Sequence, residues 1–271
     1  MQQFIALRVV NDVATIFVFC VLSAWDSINN LMTLDENFID FKCPYCDTSV
    51  SFPSDSKSKI QDCPNCSENL IFPQEGGGVG QKIPIPIRTP RLLLRRFVAA
   101  DWKDLLDVLS AEELFRYVEG GPLSDVELVR WLEQDSSAKL TTPDWMFCLG
   151  LHHQTEGKLI GYVGLNFTDA SRQQLSLQIF VGRSFQRQGY ATEAVKGVLG
   201  FCFEGISLHR VTASYDSRNV AAGRLLEKVG MRREGESLKD RFVNGEWVNT
   251  VWMAILDEEY LNSRKQPPVP K

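Results

Sequence analysis

The 271-residue sequence has no excess of positive charge, because 29 lysine and arginine residues face 34 aspartate and glutamate residues. The formal net charge of −5 excludes a protein whose whole surface attracts nucleic acid, although a local basic patch stays compatible with it. Apolar residues are not scarce, since they make up 44% of the chain and include 16 phenylalanines. A disordered or fibrous chain is therefore excluded, and the length favours one medium domain plus a small one.

The sequence also lacks an apolar run long enough to span a bilayer. The most hydrophobic run, residues 13–25, has 13 residues, against about 20 for a membrane-spanning helix. Its length fits the hydrophobic part of a signal peptide, yet Arg8 is the one basic residue before it. We interpret residues 1–33 as an appended apolar segment and expect much native protein to begin at Met32. No membrane association and a cytoplasmic location are expected.

Disulfide bonds are not expected, although the chain has seven cysteines. Four of them form two pairs, Cys43-Pro-Tyr-Cys46 and Cys63-Pro-Asn-Cys66, which are separated by 16 residues. This spacing is typical of a zinc site with two turns that each supply two thiols. The odd total and the pairing indicate metal binding in a reducing compartment. The other cysteines lie singly in apolar stretches, at Cys20, Cys148 and Cys202.

The two cysteine pairs begin an internal repeat. CPYCDTSVSFP from Cys43 and CPNCSENLIFP from Cys63 share five identical residues and one aliphatic position at an offset of 20 residues. Two such hairpins can hold one ion, and zinc suits four thiolates because it is borderline-soft and tetrahedral. Four protein sulfurs leave no position for water, so the expected zinc is structural. The module, residues 34–75, resembles zinc ribbons, which implies docking to nucleic acid, a ribosomal partner or another protein.

A second module follows a glycine- and proline-rich segment. Residues 76–86 predict a flexible and then extended linker, 87–260 a folded domain, and 261–271 a disordered tail. Helix starts are expected at Asp101 and at the capping box Ser124–Glu127, whose helix would bury Val126, Val129 and Trp131. Strands are predicted at 145–151, 159–166, 175–181 and 210–215, helices at 192–203 and 219–229, and a hairpin at Asn244-Gly245. This pattern indicates an α+β (mixed α/β) domain.

A short loop before the helix at 192–203 could bind a pyrophosphate. It reads Gln186-Arg-Gln-Gly189-Tyr-Ala191 and leads directly into the helix. A helix N-terminus presents free backbone N–H groups and a positive dipole end, which both favour an anion. Gly189 lets the backbone approach a ligand closely, and Thr192 adds a hydroxyl. A strand–loop–helix junction without a ligand is the alternative interpretation of the same pattern.

Four motifs in order resemble the GNAT acetyltransferase superfamily: TPRLLLRRF, GKLIGYVGL, QRQGYATEA and NVAAGRLLEKVGMRREG. The chain is most similar to the branch that contains ribosomal-protein alanine N-acetyltransferases. The resemblance implies the GNAT fold, a central mixed sheet flanked by helices, with acetyl-CoA as co-substrate in a gap between strands 175–181 and 210–215. By matching position it implies these cofactor-binding residues: Ile179, Val181, Gln186, Arg187, Gln188, Gly189, Tyr190, Ala191, Thr192 and Asn219. Asn219 is also a candidate helix N-cap.

The resemblance leaves the catalytic groups unassigned. Members often place a base glutamate on the fourth strand and an acid tyrosine on the fourth helix, but Ser176 and Leu226 occupy these positions here. Proton removal would then run through water, and the candidates that could order it are Ser176, Ser214, Tyr215 and Asp216. Arg187 stands where the loop commonly has glycine, which either adds a phosphate-facing charge or crowds the loop. The histidines are interpreted as structural: His152, His153 and His209.

Two functions are compatible with these features. The first is an N-acetyltransferase that transfers an acetyl group from acetyl-CoA to a primary amine by direct attack, without a covalent intermediate. Its acceptor would be a small molecule or a protein N-terminus, specifically alanine, with the zinc ribbon docking the acceptor. The second is a nucleic-acid- or ribosome-binding protein whose transferase domain has lost activity, which the missing glutamate and tyrosine favour.

Overall fold

The structure is a computed structural model that describes residues 38–54, 56, 59–73, 79–142 and 145–265. The predicted apolar segment 1–33 and the expected start at Met32 lie outside the described residues. The described residues from Ile39 onward form one compact unit. Within the described ranges, no helix combines the length and the apolar character that a membrane crossing requires.

The described residues form thirteen strands and five α-helices. The strands are β1 (Phe38–Lys42), β2 (Ser49–Pro53), β3 (Ile60–Asp62), β4 (Asn69–Ile71), β5 (Gln81–Lys82), β6 (Ile87–Arg88), β7 (Leu92–Arg95), β8 (Phe147–His153), β9 (Lys158–Phe167), β10 (Gln174–Val181), β11 (Arg210–Asp216), β12 (Arg232–Val243) and β13 (Glu246–Leu256). The helices are α1 (Trp102–Leu109), α2 (Asp125–Ser137), α3 (Tyr190–Gly200), α4 (Val220–Lys228) and α5 (Asp257–Lys265).

An eight-stranded sheet with the order β12-β13-β11-β10-β9-β8-β7-β6 organises the larger part of the described chain. Strands β8, β9 and β10 form an antiparallel meander, whereas β10 and β11 pair in parallel. The sheet is therefore mixed, because β10 has one antiparallel and one parallel neighbour. The predicted α+β class with a central mixed sheet is confirmed.

Helices cover the two faces of this sheet unequally. Successive side chains of a strand point to opposite faces, and Leu175 and Leu177 of β10 pack in the same core as Ala194 and Val198 of α3. On the other face, Phe180 packs near α1 and α2, which cover the meander. Beyond the meander this face is open, because Gln178 and Ser214 are exposed. The open part lies beside the junction of β10 and β11.

The cysteine module, residues 38–73, consists of short strands around a small aromatic core. Strands β1 and β2 form one sheet, and β3, β4 and β5 form another. The rings of Phe41 and Phe52 stack at 5.8 Å, and those of Phe41 and Phe72 stack at 6.4 Å. With few other buried apolar groups, this core is too small to hold the module together by hydrophobic burial alone.

The described part of the predicted linker is packed, which corrects its interpretation as a free spacer. Within residues 79–86, strand β5 pairs with β4, and Gly80 N–H donates to Lys42 O at 2.9 Å. The glycine is needed for packing, because a Cβ on Gly80 would lie 2.8 Å from the ring of Phe41. Ile83 and Ile85 then pack against the core of the main sheet.

The cysteine module also shares side-chain contacts with the main sheet. Ile60 and Ile71 belong to the same buried cluster as the strands of the large sheet. Asp62 accepts a hydrogen bond from Arg172 Nη2 at 2.8 Å, and Asn69 Nδ2 donates to Thr141 Oγ1 at 2.7 Å. The boundary predicted at residues 76–86 therefore does not isolate the module from the main core, although the module also has an aromatic cluster of its own.

Three local predictions also differ from the structure. Residues 261–265 of the predicted tail continue helix α5. Helix α2 begins at the predicted capping box, since Ser124 Oγ accepts from Glu127 N–H and Glu127 accepts from Ser124 N–H. Yet Val126 and Val129 are 61% and 46% exposed, and the residues that this helix buries are Leu128 and Asp135. Asp101 makes no cap bond to α1 and instead pairs with Arg95.

Candidate active site

Strands β10 and β11 separate after a short paired stretch and leave a gap in the sheet. Their parallel pairing covers Gln174–Arg210, Leu175–Val211 and Ser176–Thr212, and the register ends there. Beyond Ser176, β10 remains paired to β9 as far as Val181. The two strands are thus joined at their N-terminal ends and unpaired toward their C-terminal ends.

The gap-facing edge of β10 carries main-chain groups that β9 does not bind. Gly182 N–H donates to Ile160 O, and hydrogen-bonded pairs alternate along an antiparallel ladder. The main-chain groups of Ile179 and Val181 therefore point away from β9, toward the gap. One of them is already used, because Val181 O accepts from Gln186 Nε2 at 2.9 Å. The others can bind the amides of an extended ligand.

The loop after β10 forms an open cradle of backbone donors. Among the described residues, no acceptor binds the backbone N–H of any residue from Arg187 to Thr192, and residues 186–189 are exposed. The first backbone bond of α3 follows, from Glu193 N–H to Gly189 O at 3.0 Å. Six consecutive free N–H groups at a helix N-terminus are suited to a pyrophosphate.

Two residues of this cradle have left-handed backbone conformations. Gly189 is the N-cap of α3 with a φ of 87°, and Arg187 has a φ of 58°. The glycine accepts this conformation without steric cost, whereas arginine does so rarely. Arg187 therefore does not block the loop from turning, and its exposed side chain is free to lie beside a bound anion.

Sequence reasoning did not single out the two residues that support the cradle from a distance. Thr89 Oγ1 donates to Glu193 Oε1 at 2.7 Å, and Arg91 Nε donates to Glu193 Oε2 at 2.6 Å. Burial alone would raise the pKa of the Glu193 carboxyl, but these bonds lower it overall. The sequence signal that could have identified Thr89 and Arg91 is the triplet Thr-Pro-Arg that opens the first of the four motifs.

Asn219 lies at the N-terminus of α4 and acts as its cap. Its Oδ1 accepts from Ala222 N–H at 3.1 Å, as the N-cap interpretation predicts. Among the described residues its Nδ2 has no acceptor, so capping leaves a donor for a ligand. The structural and the cofactor-binding roles are compatible.

Two of the four catalytic candidates share the open face of the sheet. Ser176 pairs with Thr212, and Ser214 pairs with Trp252, so these four side chains point to one face. Trp252 is 45% exposed, and its indole N–H donates to Ser237 Oγ at 2.9 Å. Hydroxyl groups and one oriented aromatic ring thus surround the point where β10 and β11 separate.

The other two candidates are placed differently. Tyr215 points to the opposite face, where a Cβ on Gly223 of α4 would lie 2.6 Å from its hydroxyl oxygen. Asp216 is 1% exposed and accepts hydrogen bonds from Nε and Nη2 of Arg218. Burial alone would raise the pKa of the Asp216 carboxyl, but Arg218 lowers it overall. This ion pair makes Asp216 a poor proton acceptor at neutral pH.

The three histidines make structural contacts outside the open face. His152 lies 3.5 Å from Asp101, and burial lowers its pKa. His153 is buried, and its Nε2 lies 2.8 Å from Tyr190 Oη beneath the cradle. His209 pairs with Asp257 at 3.3 Å.

The four paired cysteines converge at the centre of the cysteine module. All four sulfurs lie within 4.8 Å of one another, with Cys43–Cys66 at 3.8 Å and Cys46–Cys63 at 3.7 Å. The repeat is also structural: Cys43 N–H bonds Thr48 O and Cys63 N–H bonds Glu68 O, each at 2.9 Å. Hydrogen bonds with Thr48 and Asn65 lower the pKa of the Cys46 thiol to about 5. The two matching backbone bonds show that the site is built from two similar turns.

A family model described as Acetyltransferase (GNAT) domain matches residues 91–232, just over half of the chain. Uncharacterized N-acetyltransferase YnaD of Bacillus subtilis is 27% identical over 174 residues, which cover 64% of this chain and 98% of that protein. Spermidine N(1)-acetyltransferase of Escherichia coli is 27% identical over 145 residues, which cover 51% and 77%.

A putative ribosomal N-acetyltransferase, YdaF of Bacillus subtilis, is 24% identical over 105 residues, which cover 39% of this chain and 57% of that protein. The solved structure of an acetyltransferase of the GNAT family from Bacillus anthracis has 26% identity and a TM-score of 0.58, and the match covers 64% of this chain and 98% of that one. Its fold is the mixed sheet described above. The chain thus belongs to the GNAT family and is an acetyl-CoA-dependent N-acetyltransferase.

Proposed function

We propose that this enzyme acetylates the N-terminus of a peptide or protein whose first residue is small, such as alanine. The observation that carries the proposal is the open sheet face beside the gap. Ser176, Thr212 and Ser214 line it with uncharged groups, and the carboxylates of Asp216 and Glu234 that border it are paired with Arg218 and Arg210. A polyamine would need free carboxylates to bind its additional ammonium groups.

Acetyl-CoA would occupy the gap and the cradle. The main-chain groups of Ile179 and Val181 would bind the pantetheine, and residues 186–192 would bind the pyrophosphate. Asn219 Nδ2 would donate to the cofactor while its Oδ1 caps α4. This arrangement places the acetyl group near Ser176, where the paired stretch ends and the open face can admit an amine.

The chemistry relies on positioning more than on a dedicated base. The neutral amine attacks the thioester carbonyl, the C–S bond breaks, and the amine proton leaves through water. Ser176 and Ser214 would order that water, because their hydroxyl groups both accept and donate hydrogen bonds. Leu226 is buried at the position of the family's acid tyrosine, so solvent would protonate the departing thiolate.

The acceptor wall would include the exposed aromatics of the β12–β13 hairpin. Phe242 and Trp247 pack edge to face at 5.5 Å and are 52% and 61% exposed. The hairpin tip is fixed, because Asn244 Nδ2 donates to Phe115 O at 3.0 Å. These two rings would offer an apolar surface at the hairpin tip for the residues that follow a peptide N-terminus.

The cysteine module would hold one structural zinc through Cys43, Cys46, Cys63 and Cys66. A tetrahedral zinc with bonds of about 2.3 Å keeps its sulfurs about 3.8 Å apart, which matches the Cys43–Cys66 and Cys46–Cys63 distances. The ion would link the two hairpins of a module with a small core of its own. Zinc-bound thiolates and acetyl-CoA are compatible with the cytoplasm as the working compartment. A ribosomal protein would fit the proposed function either as the acceptor of the acetyl group or as a partner of the cysteine module.

Release of CoA with a panel of acceptors tests the proposal. Peptides that begin with alanine or serine should be acetylated at least ten times more efficiently than spermidine, and the same peptides with a blocked N-terminus should not react. Gly189→Trp, which fills the cradle, should abolish turnover of every acceptor. Equal or better turnover of spermidine would contradict the acceptor class, and unchanged turnover by Gly189→Trp would contradict the cradle.

A further inference from the structure

Arg91 reaches the cofactor cradle from a distant part of the chain. It lies in the turn between β6 and β7, 97 residues before Gln188. Its Nη1 donates to Gln188 O at 3.1 Å, and its backbone N–H donates to Glu193 Oε1 at 2.7 Å. The side chain thus lies across the first turn of α3, on the loop that carries the free backbone donors.

The hydrogen bonds of Arg91 leave one nitrogen available. Nε is bound by Glu193 and Nη1 by Gln188, but Nη2 has no acceptor among the residues that the structure describes. This nitrogen lies 3.4 Å from the position that a Cβ would take on Gly189. The side chain is 43% exposed, so a ligand in the cradle can reach Nη2.

The orientation of the guanidinium group is fixed before any ligand binds. It stacks on the ring of Tyr190 with 4.2 Å between Cζ and the ring centroid. Tyr190 is held in turn by the buried His153, whose Nε2 lies 2.8 Å from Tyr190 Oη. A pre-oriented arginine loses little side-chain entropy when it binds an anion.

We propose that Arg91 is a pyrophosphate-binding residue of the cofactor site. Its Nη2 donates to a phosphate oxygen, while Nε and Nη1 keep the loop in the conformation that exposes its N–H groups. This inference rests on the proposed cradle and adds a side-chain cation that the structure fixes beside it. Charge-assisted bonds to phosphate are stronger than bonds between neutral groups.

Calorimetric measurement of the binding of two ligands tests whether Arg91 binds the pyrophosphate. Acetyl-CoA carries the pyrophosphate, whereas S-acetylpantetheine lacks it. Arg91→Ala should raise the Kd for acetyl-CoA about 10- to 100-fold and leave the Kd for S-acetylpantetheine within about 2-fold. Arg91→Lys, which keeps the charge, should lie between the alanine variant and the wild type. Arg130→Ala removes an exposed arginine on α2 and should change neither Kd.

Glu193→Gln separates direct contact from support of the loop. This variant weakens the ion pair between Arg91 and residue 193 but keeps the Arg91 charge. Its Kd for acetyl-CoA should therefore rise much less than that of Arg91→Ala. An equal rise in both variants would overturn the direct contact, as would equal losses for both ligands in Arg91→Ala. If the wild type binds the two ligands equally, the cradle itself fails, and the role of Arg91 fails with it.

Discussion

Shortening Ile60 to alanine tests whether the cysteine module and the large sheet share one core. Ile60 is fully buried in β3 of the module, yet it packs in the same cluster as the strands of the transferase sheet. Removal of a buried isoleucine side chain to alanine costs about 2–5 kcal/mol, because both the burial and the filled volume are lost. At a urea dependence of about 3 kcal/mol per molar, a loss of 3 kcal/mol lowers the unfolding midpoint by about 1 M.

Tryptophan fluorescence during urea unfolding measures this effect in the transferase part. Five of the six tryptophans lie in residues 87–260, so the signal reports that part of the chain. Val126→Ala removes two methyl groups, one carbon fewer than Ile60→Ala, at a site that is 61% exposed, and it should change the free energy of unfolding by less than about 0.5 kcal/mol. An unchanged fluorescence midpoint in Ile60→Ala would refute the shared core.

Three further predictions follow from local features. Purified protein should contain about one zinc per chain, and Cys63→Ser should lower both the zinc content and the melting temperature. Ser124→Ala should lower the free energy of unfolding by about 1 kcal/mol in urea titrations, because the α2 cap is lost. Asp216 has a lowered pKa, so its stabilisation is present above about pH 4 and is lost as the pH falls through that lowered value. The melting temperature of Asp216→Asn should therefore lie below that of the wild type at pH 6, and the difference should shrink below about pH 4.

The parts of the fold that could be predicted from sequence depend on neighbouring residues. The capping box at Ser124 and Glu127, the turn at Asn244-Gly245 and the cysteine repeat each place their signal within a few residues. The position of the gap followed from the resemblance to a family, since no local pattern states which strands pair. Arg91 escaped notice because its partners, Gln188 and Glu193, lie about a hundred residues later in the chain.

The linker prediction failed for a different physical reason. Glycine is enriched both in flexible segments and where the backbone must pass close to another group, and composition does not separate the two. Gly80 belongs to the second class, because the ring of Phe41 occupies the space that a Cβ would need. The exposure of Val126 and Val129 has a similar cause. Helical spacing shows which side of a helix is apolar, but it does not show whether another element covers that side.

The anchoring of the cysteine module bears on what its metal would do for catalysis. Arg172 and Ser207, which bind Asp62 and Lys59 of the module, immediately precede β10 and β11. The N-terminal ends of these strands are joined there, because Gln173 O accepts from the backbone N–H groups of residues 209 and 210. The module therefore contacts the closed end of the gap, whereas the cradle lies at its open end. A metal that holds the module together would therefore stabilise the two strands that define the gap without covering the cofactor. This position favours a structural role of the module. It does not favour the expected role, in which a flexibly tethered domain docks the acceptor.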